Sequence, residues 1–426
     1  MKSLNKKFLL VKFISLFLIV FILSSCSDLL TVEDPGSIEL DDLSSPENEE
    51  LILNGVYSEF QYAFDYMTLT ASILSDEIYT DHTNIDHREL ALFNFNESNI
   101  LNSNTYTFLQ KARVIAEDAA ARIATFHDNS DSNLNVAESY AYAGYANVLI
   151  GEHFCESPID GGPALSSNEI LERALDMFDQ AITIAGNAQQ AAPSERASQI
   201  LNLANLGSAR ASLQMGEFSN AINFASTVPD DFEAFVYRSS NSSRESSIMA
   251  AQWITTQPWA SVDIPFQNLN DPRVRHISDP VPGLNAQDVF LPYRPFFYQG
   301  WDRDNDAQTI DLSTGIRFAS GLEARYIEAE ANGPTSETMS FINERRDFGG
   351  QGSVSLTGDD MMEELREQRG RDFYMAVQRH GDLRRYLNLY NIDLFPSGSY
   401  PISSENYGDA RCFIIPLSEI NGNPQL

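Results

Sequence analysis

The chain has 426 residues and a formal net charge of −32, set by 60 acidic against 28 basic side chains. A surface this acidic repels nucleic acid, and Lys111, the one lysine beyond residue 12, sits in no GxxxxGK[ST] loop, so a phosphate-cradling site of that kind is excluded. With 43% hydrophobic and 11% aromatic residues the chain can bury one large core or two ordinary ones and reads as globular.

Lys2, Lys6, Lys7 and Lys12 precede or enter an apolar run, Phe13 to Leu23, broken only by Ser15. Residues 1 to 25 therefore read as a secretory signal peptide, since the run is too short to span a bilayer as a helix, which takes about 20 residues. The run closes on Leu23-Ser24-Ser25-Cys26, which resembles the lipobox of bacterial lipoproteins. That resemblance implies cleavage before Cys26 and acylation of its thiol and of the new amino group, giving firm membrane attachment without a spanning helix. Loss of the four lysines makes the remaining chain more acidic still. From Cys26 to Glu50 the sequence is acidic and rich in Ser, Pro and Asp, the composition of a tether, and a single folded domain is expected over residues 51 to 426. Cys155 and Cys412 remain beyond the anchor; in an oxidising compartment they form a disulfide or stay as two buried thiols, and the sequence leaves both open.

The first strong helical period runs over residues 108 to 126, where Phe108, Ala112, Ile115, Ala119, Ile123 and Phe126 fall at three- and four-residue steps. A second stripe, Tyr140, Ala141, Gly144, Tyr145, Val148 and Leu149, predicts a helix over 137 to 150. Gly216 to Ala225, GEFSNAINFA, resembles the turn and second helix of a tetratricopeptide repeat: Gly ends one helix, Phe218 packs at the turn, and Ala221 lets two helices approach. Ala174, Phe178 and Ala181 repeat that small-large-small pattern, with 137 to 150 as the partner helix across the loop 152 to 168. A third pair joins Glu323 to Asn332 with Thr338 to Asp347 across the Gly333-Pro334 break. The expected fold class is all-α, built of tetratricopeptide-like helical pairs.

Residues 229 to 315 lose the helical period and gather Pro, Asn, Asp and rings, including all three tryptophans. This is the signature of a long irregular, loop-rich insertion, with a few short strands or hairpins, that either covers the core or carries function.

Several pieces together resemble the SusD/RagB family of outer-membrane nutrient-binding lipoproteins. The tail Ile414 to Leu426, IIPLSEINGNPQL, is similar to the family's closing pattern, and Arg366 to Tyr386, REQRGRDFYMAVQRHGDLRRY, to its Glu/Arg-rich helix ending in Asp-Leu-x-Arg. Asp76-Glu77, Asp271-Pro272-Arg273 and the helix at 323 to 331 belong to the same resemblance, while Ala376-Val377 and His380 stand where the family commonly has Glu-Gly and Trp. The resemblance implies a helical lid on a SusC-like TonB-dependent transporter barrel of the outer membrane, surface-exposed and lipid-anchored through Cys26, that captures an oligosaccharide or peptide for import. An adaptor whose repeat surface binds another envelope protein is the alternative.

Sugar recognition needs rings for stacking and polar side chains for hydroxyls. Residues 253 to 303 supply both, and the candidate ligand-binding set is Trp253, Trp259, Tyr293, Tyr298 and Trp301, with Asp302, Arg303 and Asn305 as polar partners. Phe93, Phe95 and Tyr106, from the segment that also lines the family's binding surface, read as structural. The run Ser75 to Glu89 reads as a solvated acidic loop rather than a metal site, and Asp302 to Asp306 starts like a calcium loop but has Ala307 in place of the turn glycine. Arg345, Arg346, Arg366, Arg369, Arg371, Arg379, Arg384 and Arg385 are expected to pair with neighbouring carboxylates. No G-x-S-x-G or HExxH motif is present, no cofactor is implied, and the chain does not read as an enzyme.

Overall fold

The computed structural model describes residues 44–80, 82–253, 260–278, 293–295 and 312–426, with side chains left aside at 252–253, 277–278 and 293–295. The chain divides into two units, Met1–Asn48 and Glu49–Leu426. In the first, the described residues form a short 3₁₀ turn, Pro46–Asn48. The second is all-α apart from four two-stranded ladders among its described residues.

The helices start where side chains replace missing backbone partners. Asn99 Oδ1 accepts from the amides of Leu101 and Asn102 to open Ile100–Ala124, Asn133 does the same for Leu134–His153, and Ser166 with Glu169 forms a capping box at Ser167–Ala191. The stretch 137 to 150 lies within these elements, whereas 108 to 126 is helical as far as Ala124, with Thr125 and Phe126 in the turn that follows.

Leu134–His153 packs on Ser167–Ala191, which packs in turn on Glu195–Gln214. Phe178, fully buried, is the wedge at this junction: a Cβ at Gly144 would fall 2.5 Å from its Cε1, and one at Gly207 would meet the same ring. Two glycines facing one large ring let three helices approach closely, and the buried ring contributes about 1.5–3 kcal/mol by burial. Gly216, at φ 78°, ends Glu195–Gln214 in the left-handed region and turns the chain into Phe218–Ala225, as its position predicts. The third pair, Gly321–Asn332 and Ser336–Phe348, is separated by Gly333 at φ 71° and has a smaller core of Tyr326, Phe341, Ile342, Leu365 and Phe373.

The irregular insertion is fastened at both ends. Glu233–Val236 pairs antiparallel with Ile316–Ser320, so the two ends of the stretch between them are joined before the chain enters Gly321–Asn332. Inside it, among the described residues, Ala260–Val262 pairs with Ile78–Thr80, His276–Ser278 pairs with Tyr293–Pro295, and Ile248–Trp253 forms a short α-helix. A hairpin of Glu156–Pro158 with Ala164–Ser166 occupies the loop before Ser167–Ala191. Cys155 and Cys412 form a disulfide with Cα atoms 5.3 Å apart, beside a parallel bridge between Phe154 and Phe413, which resolves the alternative left open by the sequence. Through it the tail, with its final helix Leu417–Gly422, is tied to the repeat core.

Candidate functional site

Asp76 and Glu77 lie in the turn between the first long helix, Glu49–Ile73, and the strand Ile78–Thr80, and correct one expectation: they are buried rather than part of a solvated acidic loop. Arg379 donates to both carboxylate oxygens of Asp76, Nε to Oδ1 at 2.7 Å and Nη2 to Oδ2 at 2.6 Å. Glu77 accepts from Ser72 Oγ at 2.7 Å and from the Met375 amide at 2.5 Å, while its carbonyl accepts from Tyr374 Oη at 3.0 Å. Burial pushes the Glu77 carboxyl up to about 7 despite those bonds, and burial does the same at Asp263. These contacts pin the start of strand Ile78–Thr80 to the turn 373–378, where Met375 and Val377 both hold positive φ.

The late arginines are largely paired with carboxylates, as expected. Arg345 forks onto Asp372, Arg346 meets Glu364, Arg369 meets Asp382, and Arg385 bridges Glu330 and Asp382. Arg384 differs, donating to the backbone carbonyls of Glu152 and Phe154. Asp271-Pro272-Arg273 is a clamp of the same kind. The buried Arg273 forks onto Asp271, donates to Gln368 at 2.7 Å and lies 3.2 Å from Asp372. Burial alone would raise the Asp372 carboxyl, but Arg273 and then Arg345 hold it below its ordinary value. The clamp fixes the loop Asn268 to His276, where Asn268 and Asn270 take positive φ and the Asn268 amide donates to His276 Nε2; that loop lines an open cleft of about 670 Å³.

A second cleft, about 300 Å³, opens at the end of Ile78–Thr80, lined by Thr80, His82, Thr83, Arg88, Leu92, Tyr400, Ile402, Ser403 and Glu405. One wall is formed by Thr80, His82 and Thr83 with the helix Ile85–Ala91, capped by Asn84. The other is the turn between Gly398 and Tyr407, closed by Tyr400 N–H to Glu405 O at 2.8 Å and Tyr407 N–H to Gly398 O at 2.9 Å. Tyr400 Oη joins the walls, accepting from Thr80 N–H and donating to Thr80 O, both at 2.8 Å. Gly408 lets the turn sit against Phe93, whose carbonyl oxygen would lie 2.5 Å from any Cβ there.

Across the mouth, Arg88 Nη2 meets Glu405 Oε2 at 3.0 Å, each side chain about half exposed. His82 and His87 stack with ring centroids 4.1 Å apart and planes 14° off parallel. Burial lowers the pKa of His82, and burial together with His82 pushes His87 down to about 4, so both rings are neutral at pH 7. Flat rings, hydroxyls and one exposed ion pair suit a polyhydroxylated ligand.

Of the sequence-derived ligand set, Trp259, Tyr298, Trp301, Asp302, Arg303 and Asn305 lie outside the described residues, as do Cys26 and the Asp302 to Asp306 run. Trp253 ends the helix Ile248–Trp253 and Tyr293 opens a strand opposite Ser278. Trp259 directly precedes Ala260, whose ladder partner Thr80 lines the smaller cleft. Phe93 and Tyr106 are buried and Phe95 packs against the core, consistent with their structural reading. Sequence reasoning missed Tyr400, Ser403 and Glu405; His82 and Arg88 lay in a run weighed only for metal.

No family model matches the chain, and no curated protein is similar enough to serve as a relative. Solved structures do share its fold. A SusD superfamily protein from Bacteroides vulgatus superimposes with TM-score 0.64 at 15% identity over 89% of this chain and 98% of its own. A SusD homolog from Bacteroides thetaiotaomicron gives 0.65 at 15% identity over 90% and 96%. A laminarin-binding SusD-like protein gives 0.63 at 12% identity over 89% and 99%. The chain thus shares its fold with these SusD-like structures.

Proposed function

We propose that the chain is a member of the SusD/RagB family, a lipoprotein held through Cys26 on the outer membrane and exposed at the cell surface. In this reading it captures a glycan and passes it to a SusC-like TonB-dependent transporter barrel. Its work is capture, without catalysis. The observation that carries the reading is the cleft between Thr80 and Glu405, where stacked neutral rings, a tyrosine shared between the walls and an exposed ion pair meet at the edge of the tryptophan-bearing insertion. Support comes from a shared fold with solved SusD-like proteins, one of them described as laminarin binding. Within the insertion, Trp253, Trp259, Tyr293, Tyr298 and Trp301 would supply stacking faces, with Asp302, Arg303 and Asn305 as hydroxyl partners.

The test is a tryptophan-emission titration of the lipid-free chain against oligosaccharides and oligopeptides, followed by affinity purification of the full chain from membranes. Saturable binding of one glycan class and recovery of a β-barrel partner support the reading. A soluble envelope protein as the recovered partner, with no glycan bound, would replace capture by the adaptor role.

A further inference from the structure

The charge arrangement of the smaller cleft bears on which glycans it admits, an inference that rests on the capture reading. Among the described lining residues the charged side chains are Arg88 and Glu405, and they face one another across the mouth at 3.0 Å. The remaining titratable ring at the surface, His82, is stacked on His87 and both are neutral. The hydroxyl side chains of Thr80, Thr83 and Ser403 also line the cleft, with Ser403 Oγ donating to Glu405 Oε2 at 3.3 Å.

An anionic sugar, whether a uronate or a sulfate ester, that bonds to Arg88 must bring its own charge beside the Glu405 carboxylate paired there at 3.0 Å. It would do so on a protein whose net charge is −32, so the long-range field opposes its approach as well. A neutral sugar meets neither cost. Adjacent ring hydroxyls act as donor and acceptor at once, so one can donate to Glu405 while its neighbour accepts from the guanidinium of Arg88, with the pair kept intact between them.

We propose that the cleft selects uncharged glycans and that the Arg88–Glu405 pair is its specificity-determining element, reading neighbouring hydroxyls and rejecting anionic sugars through Glu405. Both side chains are about half exposed and serve no buried network, so their replacement leaves the core untouched.

Calorimetric titration of the native chain and of Arg88→Ala and Glu405→Gln against two panels tests this: neutral gluco-, manno-, xylo- and galacto-oligosaccharides, and oligogalacturonates, oligoalginates and sulfated oligosaccharides. The expected result is binding from the neutral panel, at least about tenfold weaker binding throughout the anionic one, and a loss of about tenfold in neutral binding for Arg88→Ala. Glu405→Gln should weaken neutral binding and narrow the gap by admitting anionic sugars to Arg88. Tighter binding of an anionic sugar by the native chain overturns the selectivity while leaving capture standing. Neutral binding unchanged in both variants removes the pair from the site. Absence of binding across both panels overturns the capture reading itself, and this inference with it.

Discussion

Replacing Glu77 by Gln tests how the buried polar junction sets stability. The carboxylate is enclosed between the first long helix and the turn at Met375, with one oxygen accepting from Ser72 Oγ and the other from the Met375 amide. Burial raises this carboxyl from an ordinary 4.5 to about 7. With the folded value above the unfolded one, the native state holds the proton more tightly, so stability is highest when Glu77 is protonated and falls as pH rises from about 4.5 to 7. A raise of this size corresponds to about 3 kcal/mol, lost in full above pH 7. Asp263, raised to about 7, and Asp65, raised to about 6, both by burial, act in the same sense. Glutamine keeps the shape and both bonds, its amide oxygen accepting from Met375 and its NH₂ donating to Ser72. The variant should match the native chain near pH 5 and exceed its stability by about 3 kcal/mol at pH 8, read from urea unfolding followed by circular dichroism at each pH. Parallel profiles for the two proteins, or a variant less stable at both ends, would show that Glu77 is ionised in the fold and refute the reasoning.

Three other outcomes are expected. Asp76→Asn or Arg379→Met alone should cost about 3–5 kcal/mol in chemical unfolding, because each leaves a buried partner uncompensated, and the double variant should cost less than the two combined. Phe178→Ala should cost about 3–5 kcal/mol and broaden tertiary signals, since the ring fills the space both glycines leave. Changing Cys155 and Cys412 together to Ser should lower stability by about 2–5 kcal/mol, given the 257-residue separation the bond spans, with a fall in thermal midpoint as the readout.

The helical pairs were legible because they carry their signal locally. Stripes at three- and four-residue spacing, glycines at 216 and 333, and the small-large-small pattern around Phe178 all act within one or two turns of their own position. The site was not legible for the opposite reason. Thr80 meets Tyr400 across 320 residues, and Arg88 meets Glu405 across 317, so neither wall of the cleft announces the other. Asp76 and Glu77 misled for a related cause: in sequence they begin an acidic run, and only the return of Arg379 and Met375 makes burial affordable there. His380, where the resemblance calls for Trp, is answered by His153, whose Nδ1 lies 2.8 Å from its own; burial above all keeps both rings far below their ordinary pKa, hence neutral and sharing one proton between the facing nitrogens. That compensation, too, joins residues more than 200 positions apart.

Glycan capture at the cleft between Thr80 and Glu405 is decided by a crystal structure of the chain with the tightest-binding oligosaccharide. A sugar ring is expected between Tyr400 and His82, with hydroxyls within hydrogen-bond distance of both Arg88 and Glu405. A ring bound elsewhere on the surface, with Arg88 and Glu405 still paired and untouched, would contradict it.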